Sequence, residues 1–337
     1  MTAPVATDCA HPTPARLAHS PLREGAAWAL ARVATGLHAT FGPRTRGAFG
    51  ILMYHRVSDE HSGVDSPTIN VTPARLREQL AGLLARGFTP WPLERLIAAS
   101  ESGEKIPAKA FAVTFDDGFA NNLTAALPIL ESLCVPATLF LATAFLDSPR
   151  PFPNDNWSGA GAAGVPDVAW RPLTTNECRQ LQGGGLVSLG AHTHTHQFFV
   201  ERPEEFRADL ARCVSILRER FGLERPTFSF PFGLASPELV AIAKQSGVRC
   251  GLMTRPDCVR PGEDPFRWGR FGVTTADTPA TLAAKLGGWY SPLARTLRAA
   301  QRPLALVGPR RLRAHLNRRN PSFAFAGEEV KATAIKI

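Results

Sequence analysis

Between residues 49 and 275 the chain repeats one pattern, a short apolar run followed by a stretch with helical spacing and capping residues. The runs are FGILMYH (49–55), AFAVTF (110–115), ATLFLAT (137–143), LVSLGA (186–191), TFSFPF (227–232), VRCGLM (248–253) and RFGVTT (270–275). Runs of this length, bounded by polar or turn-forming residues, read as strands buried on both faces. TPARLREQLAGLLARG offers Thr72 as N-cap with Pro73 at the first helical position, and SPELVAIAKQSG opens on Ser236 and Pro237 and closes on Gly247. NNLTAALPILESL and EEFRADLARCVSILRERFG supply two more helical stretches. Strands alternating with helices predict an α/β fold. About seven such units fit a distorted (β/α) barrel better than an open sheet, although periodicity alone leaves the open sheet as an alternative.

A chain of 337 residues with 44% hydrophobic content can bury one large core and still carry extensions. The expected organisation is a catalytic domain over 49–290, preceded by an Ala-, Pro- and Arg-rich extension (1–48) that is poorly ordered or holds one helix around Trp28–Phe41. A basic tail (291–337) follows. Residues 147–172 lack periodicity and read as a long loop, a length at which loops often carry function. Six cysteines lie scattered without a CxxC pair, which argues against a zinc ribbon or a disulfide framework. Cys134 and Cys250 sit in apolar runs and are expected to be buried thiols in a reducing compartment. With no signal-peptide core and no apolar run long enough to span a bilayer, the base expectation is a cytoplasmic chain.

The net charge of +9 is concentrated in residues 291–320, which hold eight arginines and no acid. Peripheral contact with an anionic membrane through a basic amphipathic segment is one reading, and a solvated tail is the other. Nucleic acid is disfavoured, because no stacking aromatics are interleaved with the arginines.

Polar clusters follow four of the strands: His55 after ILMY, Asp116–Asp117–Gly118 after VTF, HTHTH (192–196) after LVSLGA, and PFG (231–233) after FSF. In α/β barrels the loops after the strands converge on one mouth. At Asp116 and Asp117 successive side chains diverge, so one carboxylate can hold a metal while the other reaches a water; a plain turn is the competing reading. In HTHTH a strand would align His192, His194 and His196 on one face. A helical turn would pair only His192 with His196, the spacing of many metal hydrolases. A solvated histidine tract is the third reading.

TFDDG (114–118), HTHTH (192–196) and FSFPFG (228–233), in this order and spacing, resemble the polysaccharide deacetylases of carbohydrate esterase family 4, the NodB-homology domain, over roughly residues 49–280. The resemblance implies the NodB-type barrel, Asp116 as general base, and a divalent ion, most plausibly Zn²⁺ with Co²⁺ or Ni²⁺ as alternatives, on Asp117, His192 and His196. It leaves His194 outside the ligand set and puts Thr193 where a hydroxyl braces the neighbouring motif loop. ILMYHRV is similar to the opening element of the poly-N-acetylglucosamine deacetylase branch, which implies His55 as general acid; a histidine merely filling the barrel end is the competing reading. The third motif departs from the family by placing Ser229 where an arginine often orients the base. Arg270 is the candidate substitute, with a surface salt bridge as the other reading. The Phe232 N–H is the implied oxyanion donor. The implied activity is hydrolysis of the N-acetyl amide of an N-acetylglucosamine-type sugar in an oligosaccharide, polysaccharide or lipid-linked glycan. A metal hydrolase of a formamido-sugar lipid or cyclic imide, and a non-catalytic carbohydrate binder, are the rival readings.

Overall fold

A computed structural model describes residues 21–295, apart from 45, 46, 63, 65, 68, 150, 153, 154, 156 and 158–163. Residues 1–20 and most of the Arg-rich 291–320 segment therefore lie outside the described residues. The first half of the chain forms α1 (Pro21–Phe41), β1 (Gly50–Tyr54), β2 (Arg56–Val57), β3 (Asn70–Val71), α2 (Pro73–Ala85), β4 (Thr89–Pro90), α3 (Leu93–Ser102) and β5 (Ala110–Phe115). There follow α4 (Leu127–Leu133), β6 (Ala137–Leu141), α5 (Thr175–Gly183), β7 (Val187–Ala191), α6 (Pro203–Phe221), α7 (Pro237–Gln245), β8 (Phe271–Gly272) and α8 (Pro279–Leu286).

The main sheet is parallel, in the order β7-β6-β5-β1-β8, with β4 beside β5. All six residues of β5 are buried, as a central parallel strand covered on both faces requires. Its neighbours sort by the two-residue period of a strand. Leu52 and Val113 join one apolar cluster, while Ile51 and Ala112 join a second. Helix starts follow local chemistry. Thr72 accepts the Arg75 N–H at 3.3 Å and Ser236 that of Leu239 at 3.2 Å, each cap stabilising its helix by about 1 kcal/mol. Thr174 and Glu177 close a reciprocal capping box on α5.

Two expected strands differ from the sequence reading. Segments 227–232 and 248–253 contribute only isolated parallel bridges, Ala191 with Phe228 and Ser229 with Leu252. Pro231 has no N–H to donate and Phe232 turns the backbone at φ 59°. The Gly251 N–H is drawn off to the Pro265 carbonyl. These bridges, with the Met253 N–H to Trp268 carbonyl bond at 2.8 Å, lead from the β7 edge towards β8. A continuous ladder does not close the barrel among the described residues.

Cys134 also departs from expectation. It ends α4 in the left-handed region at φ 53° and is exposed, because the cap position turns its side chain out of the apolar run. Cys250 is buried. Helix α1, within the 1–48 extension, packs on α8, and the Trp289 indole donates to the Gly42 carbonyl at 2.7 Å. Among the described residues no helix is long and apolar enough to cross a membrane.

Candidate metal centre and active site

The Asp-Asp-Gly turn separates the two carboxylates. The Asp116 N–H donates to the Tyr54 carbonyl at 3.0 Å, still in strand register. Asp117 then takes φ 74° and Gly118 φ 96°. This reversal sends Asp116 inward and Asp117 towards the end of β7, where His192 begins.

His192 is fixed by its Nδ1, 2.8 Å from the Ser229 carbonyl. A carbonyl can only accept, so Nδ1 carries the hydrogen and Nε2 presents its lone pair, 3.5 Å from Asp117 Oδ1. His196 Nε2 lies 3.3 Å from the same oxygen. One ligand atom from each of Asp117, His192 and His196 falls within 4.8 Å of the others. The 192–196 loop is neither strand nor helix. Thr193 at φ 63° and His196 at φ 52° curl it so that the i and i+4 rings meet. His194 points elsewhere, its Nδ1 2.9 Å from the Thr143 hydroxyl. The Asp209 carboxylate accepts the N–H groups of His194 and Thr195. Thr193 differs from its expected role, since its hydroxyl accepts the His196 N–H at 3.2 Å and braces its own loop.

Asp116 is almost fully buried and gripped at both oxygens by Arg270, at 2.6 and 2.7 Å. Arg270 also donates to the Ser229 hydroxyl at 2.6 Å and to the Thr114 hydroxyl at 3.1 Å. With 0% exposure, it is not a surface salt bridge. Ser229 thus adds a hydrogen bond at the position where the family often has its arginine.

Burial pushes the Asp116 carboxyl up, but Arg270, reinforced by His192 and His55, outweighs it and holds the group well below the usual carboxylate range. Asp117 moves the other way, raised by burial against the pull of His55 and His192. Burial drives His192 and His196 down to about 4. Both imidazoles are therefore neutral at neutral pH, the state in which they can ligate. Two neutral imidazoles from one loop and a carboxylate from the turn after β5 fit a divalent ion with positions left open.

His55 follows β1, half-buried, its carbonyl held by the Asn122 amide at 2.8 Å and its ring close enough to act on Asp117, Asp116 and His196. Phe232 sits in the PFG turn with its ring 4.9 Å from that of His196. Among the described residues no acceptor takes the Phe232 N–H. Among the described residues, four of the eight non-glycine residues with positive φ, namely Asp117, Thr193, His196 and Phe232, belong to this site. Such conformations cost energy and cluster where geometry serves function.

The sequence reading missed Arg56. Its guanidinium is fully buried, pairs with Asp155, and lies over the rings of Phe119 (4.6 Å) and Trp157 (5.0 Å). It ties the 147–172 loop to the strand end that carries His55. The available signal was a charged residue inside the apolar run ILMYHRV.

Residues 103–251 match the family model for polysaccharide deacetylase. The chain is 24% identical over 233 residues to the poly-beta-1,6-N-acetyl-D-glucosamine N-deacetylase of Escherichia coli K12, an overlap of 61% of this chain and 34% of that protein. It is 23% identical over 229 residues to the enzyme of the same name from Staphylococcus epidermidis, covering 65% and 73% respectively. It thus spans about a third of the E. coli relative's length. Among solved structures, IcaB from Ammonifex degensii superposes with a TM-score of 0.61 at 22% identity, covering 73% of this chain and 98% of that one. A de-N-acetylase from Aggregatibacter actinomycetemcomitans superposes at 0.60 and 20% identity, covering 71% and 100%. These likenesses support the NodB-type α/β fold, and over residues 103–251 the chain is similar to the polysaccharide deacetylase family.

Proposed function

We propose that this protein is a metal-dependent N-deacetylase, a hydrolase of linear amides acting on an N-acetylglucosamine-type glycan. The observation that carries the reading is the pairing, in one buried site, of the Asp117–His192–His196 donor set with an Asp116 carboxylate clamped by Arg270. The named activity of the relatives supports the choice of sugar. A divalent ion, which we take to be Zn²⁺ with Co²⁺ or Ni²⁺ as alternatives, supplies Lewis acidity and lowers the pKa of water when bound.

The remaining work falls to the chain's own residues. Asp116, ionised and oriented by Arg270, takes the proton from the attacking water. The unpartnered Phe232 N–H donates to the acetamide oxygen as charge builds there. His55, after the adjacent parallel strand β1, gives a proton to the departing amine. Acetate leaves and a glucosamine-type residue remains on the glycan.

Cytoplasmic placement, with docking of the Arg-rich 291–320 segment on an anionic membrane face, belongs to the same proposal. The eight arginines without an acid support the docking. The test of function is product analysis with N-acetylglucosamine oligomers. Acetate released in step with new amines is the expected result. Formate release from a formamido-sugar lipid with oligomers left intact points to the rival amide, and glycan binding without turnover points to a non-catalytic relative.

A further inference from the structure

The metal-site residues do not open evenly to solvent. Side-chain exposure is 2% for His192 and 9% for Asp117 but 14% for His196, so the site opens on the His196 side. Two aromatic rings continue outward from there. Phe232 packs on His196 at 4.9 Å and Phe198 stands 6.4 Å beyond Phe232. Phe198 is one of only four large hydrophobic side chains exposed among the described residues, at 42%.

Its outward pose is built. The next residue, Phe199, is buried against Phe206 at 5.7 Å, which fixes the chain and leaves the Phe198 ring facing solvent. Arg202 reaches back to hold this stretch, donating to the Phe198 carbonyl through Nε at 3.2 Å and through Nη2, and to the Gln197 side chain at 3.2 Å. A singly exposed hydrophobic residue needs no explanation, but Phe198 is pinned by Arg202 and neighbours Phe232, whose ring lies against His196 of the polar site.

We infer that Phe198, with the outer edge of Phe232, forms a stacking subsite for a pyranose ring next to the one being deacetylated. This rests on the proposed function and extends it to how the polymer is held. A pyranose in its chair form presents a face of C–H groups that packs on an aromatic ring, while its hydroxyls stay in water. Pre-fixing the ring removes part of the ordering cost of binding. Phe198 touches no reacting atom, so it acts on affinity for longer glycans, with Phe232 bridging it to the site.

The test is calorimetric binding of N-acetylglucosamine tetramer and monosaccharide to full-length, Zn²⁺-loaded Asp116→Asn protein, which keeps the glycan intact. A second protein adds Phe198→Ala and a third adds Phe198→Trp. A lost aromatic contact weakens tetramer binding roughly three- to tenfold, narrowing the tetramer-to-monosaccharide ratio, and Phe198→Trp restores it. Equal tetramer affinity in the Phe198→Ala protein, at unchanged thermal stability, overturns the subsite while the deacetylase reading stands. A parent protein that binds neither sugar overturns both.

Discussion

Replacing Arg270 by Met keeps an unbranched stem of similar reach but removes the charge that both Asp116 oxygens depend on. Asp116 is then left buried with no cation bound to it, and the hydroxyls of Ser229 and Thr114 lose their donor. Breaking one side of a buried pair costs about 3–5 kcal/mol, a large share of the roughly 5–15 kcal/mol that holds a domain folded. The pH dependence carries a sign. In the wild type the folded Asp116 titrates below the unfolded value of about 3.9, so its stabilisation is present above that value and is lost as the pH falls through the folded one. Without Arg270, burial is opposed only by His192 and His55, and the folded value rises. The destabilisation is then full at neutral pH and is relieved as the pH falls. Urea unfolding of the chelated proteins at pH 7.5 and pH 5 reads both effects, and adding Asp116→Asn should recover part of the loss. A loss below ~1 kcal/mol, the range of an exposed pair, or an equal loss at both pH values, refutes the clamp.

Elemental analysis should find about one divalent ion per chain in the wild type and in His194→Ala, but little in His192→Ala or His196→Ala, because the His194 ring faces Thr143 and not Asp117. With burial holding His192 and His196 near 4, protonation of the two imidazoles should cost metal only as the pH approaches 4, any earlier loss falling to Asp117, whose carboxyl burial raises; a loss midpoint near the ordinary histidine value of about 6.5 that persists in Asp117→Asn contradicts that. Arg56→Lys keeps the charge but loses the flat guanidinium that lies over Phe119 and Trp157. Limited proteolysis should cut the 147–172 loop faster in that variant and in Asp155→Asn, and unchanged cleavage argues against Arg56 as its anchor.

Much of the fold was legible, for identifiable reasons. The β5 run was bounded by Lys109 and the Asp-Asp-Gly turn, and it forms over the residues expected. Thr72 and Ser236 cap the helices they were expected to open. Helix α5 could have been read from Thr174 and Glu177, a capping box three residues apart. The strand expected at 227–232 could not survive Pro231, a residue the hydrophobic pattern passes over. At the site, residue types and order single out Asp116, Asp117, His192 and His196, and the structure brings those four together. Spacing could not decide which histidines converge, because positive φ at Thr193 and His196 settles it. Nor does any local pattern report the pairing of Arg56 with Asp155 or of Arg270 with Asp116, since each joins residues far apart in the chain.

The most direct test of the central claim compares acetate release from N-acetylglucosamine oligomers by wild type and Asp116→Asn at equal metal content. If Asp116 is the proton acceptor, the variant keeps its metal and loses about 10²–10⁴-fold in rate, the span of general-base catalysis. Equal rates in the two proteins, with metal bound in both, contradict the role assigned to Asp116 and to the arginine that holds it.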